Sequence, residues 1–133
     1  MQEMSVFWLR AAAALYSLGL LHAIVTVLSR QDRFFAWSLR AFSVAATFHF
    51  VSIAERWLGS GQFPASNFFE SASLCAFLIA ASFLFLHWRY EFDSLGVFLF
   101  PLVFLMTLLG TLDAPVAALN SPNVRSAWLL AHV

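Results

Sequence analysis

NFFESASLCAFLIAASFLFLHWR, residues 67–89, sets an amide and a carboxylate at the mouth of a long apolar run and His-Trp-Arg at its far end. Between Phe68 and Trp88 the acidic and basic side chains are Glu70 and His87 alone. About twenty helical residues at ~1.5 Å each cross the ~30 Å hydrocarbon core of a bilayer, so this run predicts a transmembrane helix. Asn67 followed three residues on by Glu70 has the form of a helix N-cap: the amide accepts from an early backbone N–H and the carboxylate reaches back. A negative charge there also meets the positive end of the helix dipole. Pro64 and Gly61 shape the turn before it.

Outward from this run the pattern repeats. Residues 5–29, 34–57 and 95–112 are three more segments of spanning length, and a fifth starts near Ala127 (AWLLAHV). The connectors RQDR, LGSGQFPASN, RYEFDS and DAPVAALNSPNVRS are short and polar. A lipid-exposed backbone must satisfy its own hydrogen bonds, and the chain lacks the alternating ten-residue pattern of a membrane barrel. The expected fold is therefore all-α: a polytopic transmembrane helical bundle in which residues 1–133 form one membrane domain. Composition agrees, with 62% hydrophobic and 11% charged residues and a mean hydropathy of +0.82, against roughly 25% charged in soluble domains. Net charge is zero, every basic residue is Arg and no basic patch exists, which argues against nucleic acid as a partner. One cysteine, Cys75, leaves no internal disulfide, zinc cluster or CxxCH pair. MQEMSVFWLR carries Glu3 and then Arg10 within a run too long for a cleaved leader, so it reads as a retained first span.

Gly19 and Ala23, then Ala72, Ala76 and Ala80, recur at i+4 and predict close helix–helix approach, which replaces the missing hydrophobic drive in lipid. Pro101 is expected to kink the fourth span. With the amino terminus outside, Arg30, Arg33, Arg40 and Arg89 fall at the cytoplasmic side, and Arg10, Arg56 and Arg125 at the other. That is a margin of one charge under the positive-inside rule.

His22, His49, His87 and His132 are candidate metal ligands, each costly to bury in lipid without a partner. In this orientation His22 lies about 10 Å, and His49 about 22 Å, from the cytoplasmic ends of their spans. A mismatch of roughly 12 Å argues against one shared metal for straight helices. His49, Ser52 and Arg56 share one helical face while Arg40, Ser43 and Thr47 share the opposite one. Such a span is expected to meet protein or water on both faces. His49 then reads either as a structural hydrogen-bonding group or as a ligand or proton-handling group. His22, near Tyr16 and Ser17, has the same alternatives. His87, beside Trp88 and Arg89, reads as an interfacial side chain.

ERWLGSGQFPASNFFES (residues 55–71) resembles the Arg-Trp, Gly/Phe/Pro loop and Asn-Leu-Tyr-Glu-Ser-like motif of the cytochrome c assembly family of the CcsA (ResC) type, with HemX-like membrane proteins as kin; Phe68 and Phe69 stand where Leu and Tyr are common. FPLVFLM, APVAALNS and SAWLLAHV resemble that family's Pro-Leu helix, outer Pro-Ala-Leu-x-Ser loop and Trp-Leu-x-x-His-Val block, with an extra PNVR before the last. The two regions cover residues 55 to 133.

The resemblance implies a haem-handling membrane component of c-type cytochrome biogenesis, presenting haem b at the outer face for attachment to apocytochrome c. It implies that His132 is an external axial ligand to haem iron. The second external histidine and the family's tryptophan-rich loop are absent from these residues, as in the first half of such a protein. Trp128, one turn before His132, would stack on the porphyrin. Asn67 and Glu70, opening a helix at the same outer level, would stand beside the haem. Implied partners are haem, apocytochrome c, a second cytochrome c assembly membrane subunit and the lipid bilayer. The expected location is a bacterial inner (cytoplasmic) membrane with the amino terminus outside, rather than a thylakoid. The alternative is a HemX-like membrane scaffold that carries no haem. A small transporter is disfavoured because no internal repeat is visible.

Overall fold

The apolar runs form four helices in a computed structural model, which describes residues 2–112: α1 (Gln2–Ser29), α2 (Asp32–Ser60), α3 (Phe68–Tyr90) and α4 (Ser94–Thr111). The expected fifth span, with Trp128 and His132, lies outside the described residues. All four helices are long and apolar enough to cross a membrane, and the chain is a multi-pass membrane protein. α2, at 29 residues, is the longest and α4, at 18, the shortest. Helical backbone extends from one to three residues beyond most of the expected span ends, because helix continues past the apolar window into the interfacial residues.

The ends are fixed by local chemistry. Gly61 closes α2 in the left-handed region (φ 65°), its N–H donating to the Trp57 carbonyl at 2.9 Å, a conformation that costs a residue without a side chain little. Asn67 opens α3 from extended backbone, and its Oδ1 accepts from the Glu70 N–H at 2.7 Å. The Glu70 carboxylate turns back onto Ser66, accepting from its N–H at 2.9 Å and its hydroxyl at 2.5 Å. The capping signature thus extends one residue further back than its minimal form. α4 runs through Pro101 from Ser94 to Thr111.

Short connectors make successive helices antiparallel. α1 packs most extensively on α2; α4 packs against both α1 and α3, and α2 meets α3 more lightly. Small residues mark the close approaches. The Ser38 hydroxyl of α2 donates to the Gly19 carbonyl of α1 at 2.7 Å, and a Cβ on Gly19 would meet the Ser38 carbonyl at 3.3 Å. A Cβ on Gly110 would fall 2.8 Å from the Ser73 Cβ, so α4 and α3 touch there only because position 110 has no side chain. Ala76 and Ala80 are fully buried.

At the middle of the bundle, one ring from each of three helices interlocks. Phe42 and Phe100 stack at 4.3 Å, and Phe83 meets both edge-on, at 5.7 and 5.4 Å. Tyr16 adds the fourth helix at 4.9 Å from Phe42. Offset and edge-on pairs of this kind contribute about 0.5–1.5 kcal/mol each beyond their area.

Two outcomes are expected in detergent unfolding of the purified protein. Gly110→Ala should lower stability by about 1–3 kcal/mol through overpacking against Ser73, a contact that cannot relax without parting two helices. Asn67→Ala should cost about 1 kcal/mol while Asn67→Ser costs far less, since serine retains an acceptor for the Glu70 N–H.

Candidate functional site

Polar side chains gather at the end of the bundle that carries the 61–67 loop. The Ser52 hydroxyl of α2 donates to the Ser5 carbonyl of α1 at 2.6 Å. The Trp8 indole N–H donates to Glu55 Oε1 at 3.2 Å, and Glu55 Oε2 is buried without a partner among the described residues. Arg56, in the last turns of α2, reaches Glu70 Oε1 at 3.4 Å with both side chains largely covered. Glu70 therefore caps its own helix, holds Ser66 and ties α2 to α3. A largely covered pair of this kind escapes part of the screening that weakens exposed ones.

Deeper on the same side lies His49, with no exposed surface. Its Nε2 is 2.9 Å from the Ser73 hydroxyl of α3 and its Nδ1 3.4 Å from the Tyr16 hydroxyl of α1. Phe77 covers one edge at 5.8 Å between ring centroids. Both nitrogens thus face a hydroxyl that can donate or accept, so the ring is satisfied in either tautomer. A small cleft of about 10 Å³ is lined by Leu9, Ser52, Ile53, Arg56, Pro64, Glu70 and Ser73.

The other histidines are placed apart. His22 is half-buried and its Nδ1 lies 2.9 Å from the Leu18 carbonyl of its own helix, remote from Tyr16, which turns to His49. His87, at the opposite end of the bundle, has Nδ1 2.9 Å from Asp93 Oδ1, within ion-pair distance but outside hydrogen-bonding geometry. Among the described residues no three His, Cys, Asp or Glu side chains group to hold a metal. Asn67 and Glu70 sit at the loop end as expected, whereas His132 and Trp128 fall outside the described residues.

Of the two polar faces expected on α2, His49 and Ser52 are buried and Arg56 is paired. On the second face Arg40 and Thr47 are exposed and Ser43 is half-buried. Ser43 and Thr47 donate to carbonyls of their own helix, and the Arg40 guanidinium lies over the exposed Trp37 ring at 5.0 Å. Those groups are satisfied within α2 and need no hydrogen bond from another helix. The residues that sequence reasoning missed are Trp8, Glu55, Ser5 and Ser73. Their partners lie in other helices, and spacing along one helix carries no signal of them.

No family model matches the chain, and no solved structure does. Curated relatives do, among them three that share one description, cytochrome c biogenesis protein CcsA. The Picosynechococcus protein is 32% identical over 85 residues, covering 61% of this chain and 25% of its own length. That of Guillardia theta is 29% identical over 87 residues, covering 62% and 29%. That of Trieres chinensis is 25% identical over 126 residues, covering 86% and 40%. The chain thus spans about a quarter to two-fifths of the length of these relatives, and its sequence is similar to these CcsA proteins over 61 to 86% of its own length.

Proposed function

We propose that this chain is a membrane component of c-type cytochrome biogenesis that holds haem b as cargo at the face bearing the 61–67 loop, for attachment to apocytochrome c. The observation that carries the reading is the match to relatives described as cytochrome c biogenesis proteins over 61 to 86% of the chain. In this reading the loop face is the outer face, the amino terminus is outside, the host is a bacterial inner membrane, and a second assembly subunit works alongside.

The chemistry at the loop end suits such a cargo. Haem is a flat apolar macrocycle with a polar edge. Trp57, Phe63 and Phe68 are all more than half exposed there, with Trp57 and Phe63 packed edge-on at 5.4 Å. Aromatic side chains of this type offer large apolar area at low conformational cost. His132 is the proposed axial ligand and Trp128 a stacking neighbour. Asn67 and Glu70 serve the site indirectly: with one committed to the α3 cap and the other to Ser66 and Arg56, they fix the loop rather than grip the cargo. His22 and His49 are left out of iron ligation in this scheme, because His49 is bonded inside the bundle and His22 to a carbonyl of its own helix.

Hemin titration of the purified 133-residue chain tests the assignment. With one external histidine the chain should bind hemin weakly, and added free imidazole should complete the coordination and give a low-spin spectrum. His132→Ala should weaken binding at least tenfold, the scale on which ligand-shell losses act; affinity and spectrum unaffected by that change would remove His132 from the iron and favour a scaffold that carries no haem.

Sidedness has its own check. On a Cys75→Ser background, Gln62→Cys should react in intact cells with a thiol reagent that cannot cross the membrane. Labelling only after the cells are opened would place the loop inside and end the proposal.

A further inference from the structure

His49 has surroundings that the haem reading does not use. Its imidazole lies about 10 Å along α2 from Arg56 (~1.5 Å per residue). Ser73 bridges the gap: its hydroxyl is 2.9 Å from Nε2, and the same residue lines the cleft together with Ser52, Arg56 and Glu70. A volume of about 10 Å³ is close to what one water needs, and such a water requires two to four polar partners. The hydroxyls of Ser52 and Ser73, the guanidinium of Arg56 and the carboxylate of Glu70 offer that number.

Beyond His49 the polar chain ends. Nδ1 meets the Tyr16 hydroxyl at 3.4 Å, and past Tyr16 come the interlocked rings of Phe42, Phe83 and Phe100 with Val103, all fully buried. Among the described residues the next polar side chains on that side are Ser38, bonded to the Gly19 carbonyl, and His87, whose ring packs on Phe83 at 6.1 Å; neither is bonded to Tyr16 or His49. The groups facing His49 can be named element by element. α1 supplies Tyr16, and α3 supplies Ser73 and Phe77, with Glu70 further out. α2 itself carries Glu55 and Arg56 toward the loop, and α4 contains no acidic or basic residue along Ser94–Thr111.

We infer that His49 is a proton-accepting site reached from the loop face alone, through one water in the Arg56–Glu70–Ser73 cleft. The step balances simply. Ser73 gives its hydroxyl proton to Nε2 and takes one from the cleft water, which is replenished from solvent at the loop face; one N–H bond forms on the ring. In the imidazolium both nitrogens donate, Nε2 to the Ser73 oxygen and Nδ1 to the Tyr16 oxygen, and both oxygens can accept. The site is thus bonded in either charge state, and the aromatic cluster closes it to the other side. The inference stands whether or not the protein carries haem: of the residues assigned to the cargo it shares Glu70 alone, which holds the loop there and does not touch the iron.

The test uses the full chain labelled in its histidine rings and reconstituted in sealed vesicles. The side bearing the loop is read from thiol labelling of Gln62→Cys on the Cys75→Ser background. The bands of His49 are identified by their loss in His49→Gln, and its protonation is followed by infrared difference spectra after a pH step on one side. Acidifying the loop side should produce the imidazolium bands of His49, and acidifying the other side should not. Ser73→Ala should slow the response at least tenfold in a protein that still unfolds cooperatively, and Ser73→Thr should restore it. Equal response from both sides, no response from either, or an unaltered rate in Ser73→Ala would each overturn the proposal.

Discussion

Apolar side chains gain nothing from leaving lipid for one another, so a bundle in a membrane must be held by contacts that lipid cannot make. In this chain those contacts are hydroxyl, imidazole and ion-pair bonds that pass from one helix to the next. Ser38 binds the Gly19 carbonyl and Ser52 the Ser5 carbonyl, joining α2 to α1 at two levels. His49 joins α2 to α3 through Ser73 and reaches α1 through Tyr16. Arg56 and Glu70 repeat the α2–α3 link at the loop. Interhelical hydrogen bonds in membranes contribute about 0.6 kcal/mol each on average, so no single one defines the fold, and their number and distribution do. Close backbone approach at Gly19, Ala76, Ala80 and Gly110 lets such short side chains span the gaps.

The four spans, their order and the start of α3 are legible in the sequence because each is a local property. A run of apolar residues reports a span, Gly61 with Pro64 reports a turn, and Asn67 with Glu70 reports a helix start, all without reference to another helix. The small-residue rows at Gly19/Ala23 and Ala72/Ala76/Ala80 also point to true contacts. What local pattern cannot contain is the identity of a partner. Spacing puts Arg56 on a face of α2, yet its function in the fold depends on Glu70 across the loop. The polar face of Arg40, Ser43 and Thr47 suggests a second protein contact; it is instead satisfied by α2's own carbonyls and by the Trp37 ring. A hydroxyl four residues from a carbonyl in the same helix can be polar by composition and self-sufficient in structure.

The two ends of the bundle are chemically unlike. The loop end concentrates Glu55, Arg56, Glu70, Ser52, Ser66 and Ser73 above His49, together with exposed Trp57, Phe63 and Phe68. The opposite end offers His87 with Asp93 and the exposed side chains of Arg30, Arg33 and Arg89. Between them stands the packed ring cluster. This asymmetry gives the loop end both an exposed aromatic surface and a polar recess beneath it, built on the ends of α1, α2 and α3 together with the loop.

The unequal helix lengths carry a consequence for the surrounding lipid. The 18 residues of α4 rise about 27 Å, and the 29 of α2 about 43 Å. The apolar parts differ less, because the outer turns of α2 carry Arg33, Glu55 and Arg56 and stand in the interface. What mismatch is left beside α4 is met by slight thinning of the annulus or a lean of the bundle, at a cost of fractions of a kcal/mol per Å.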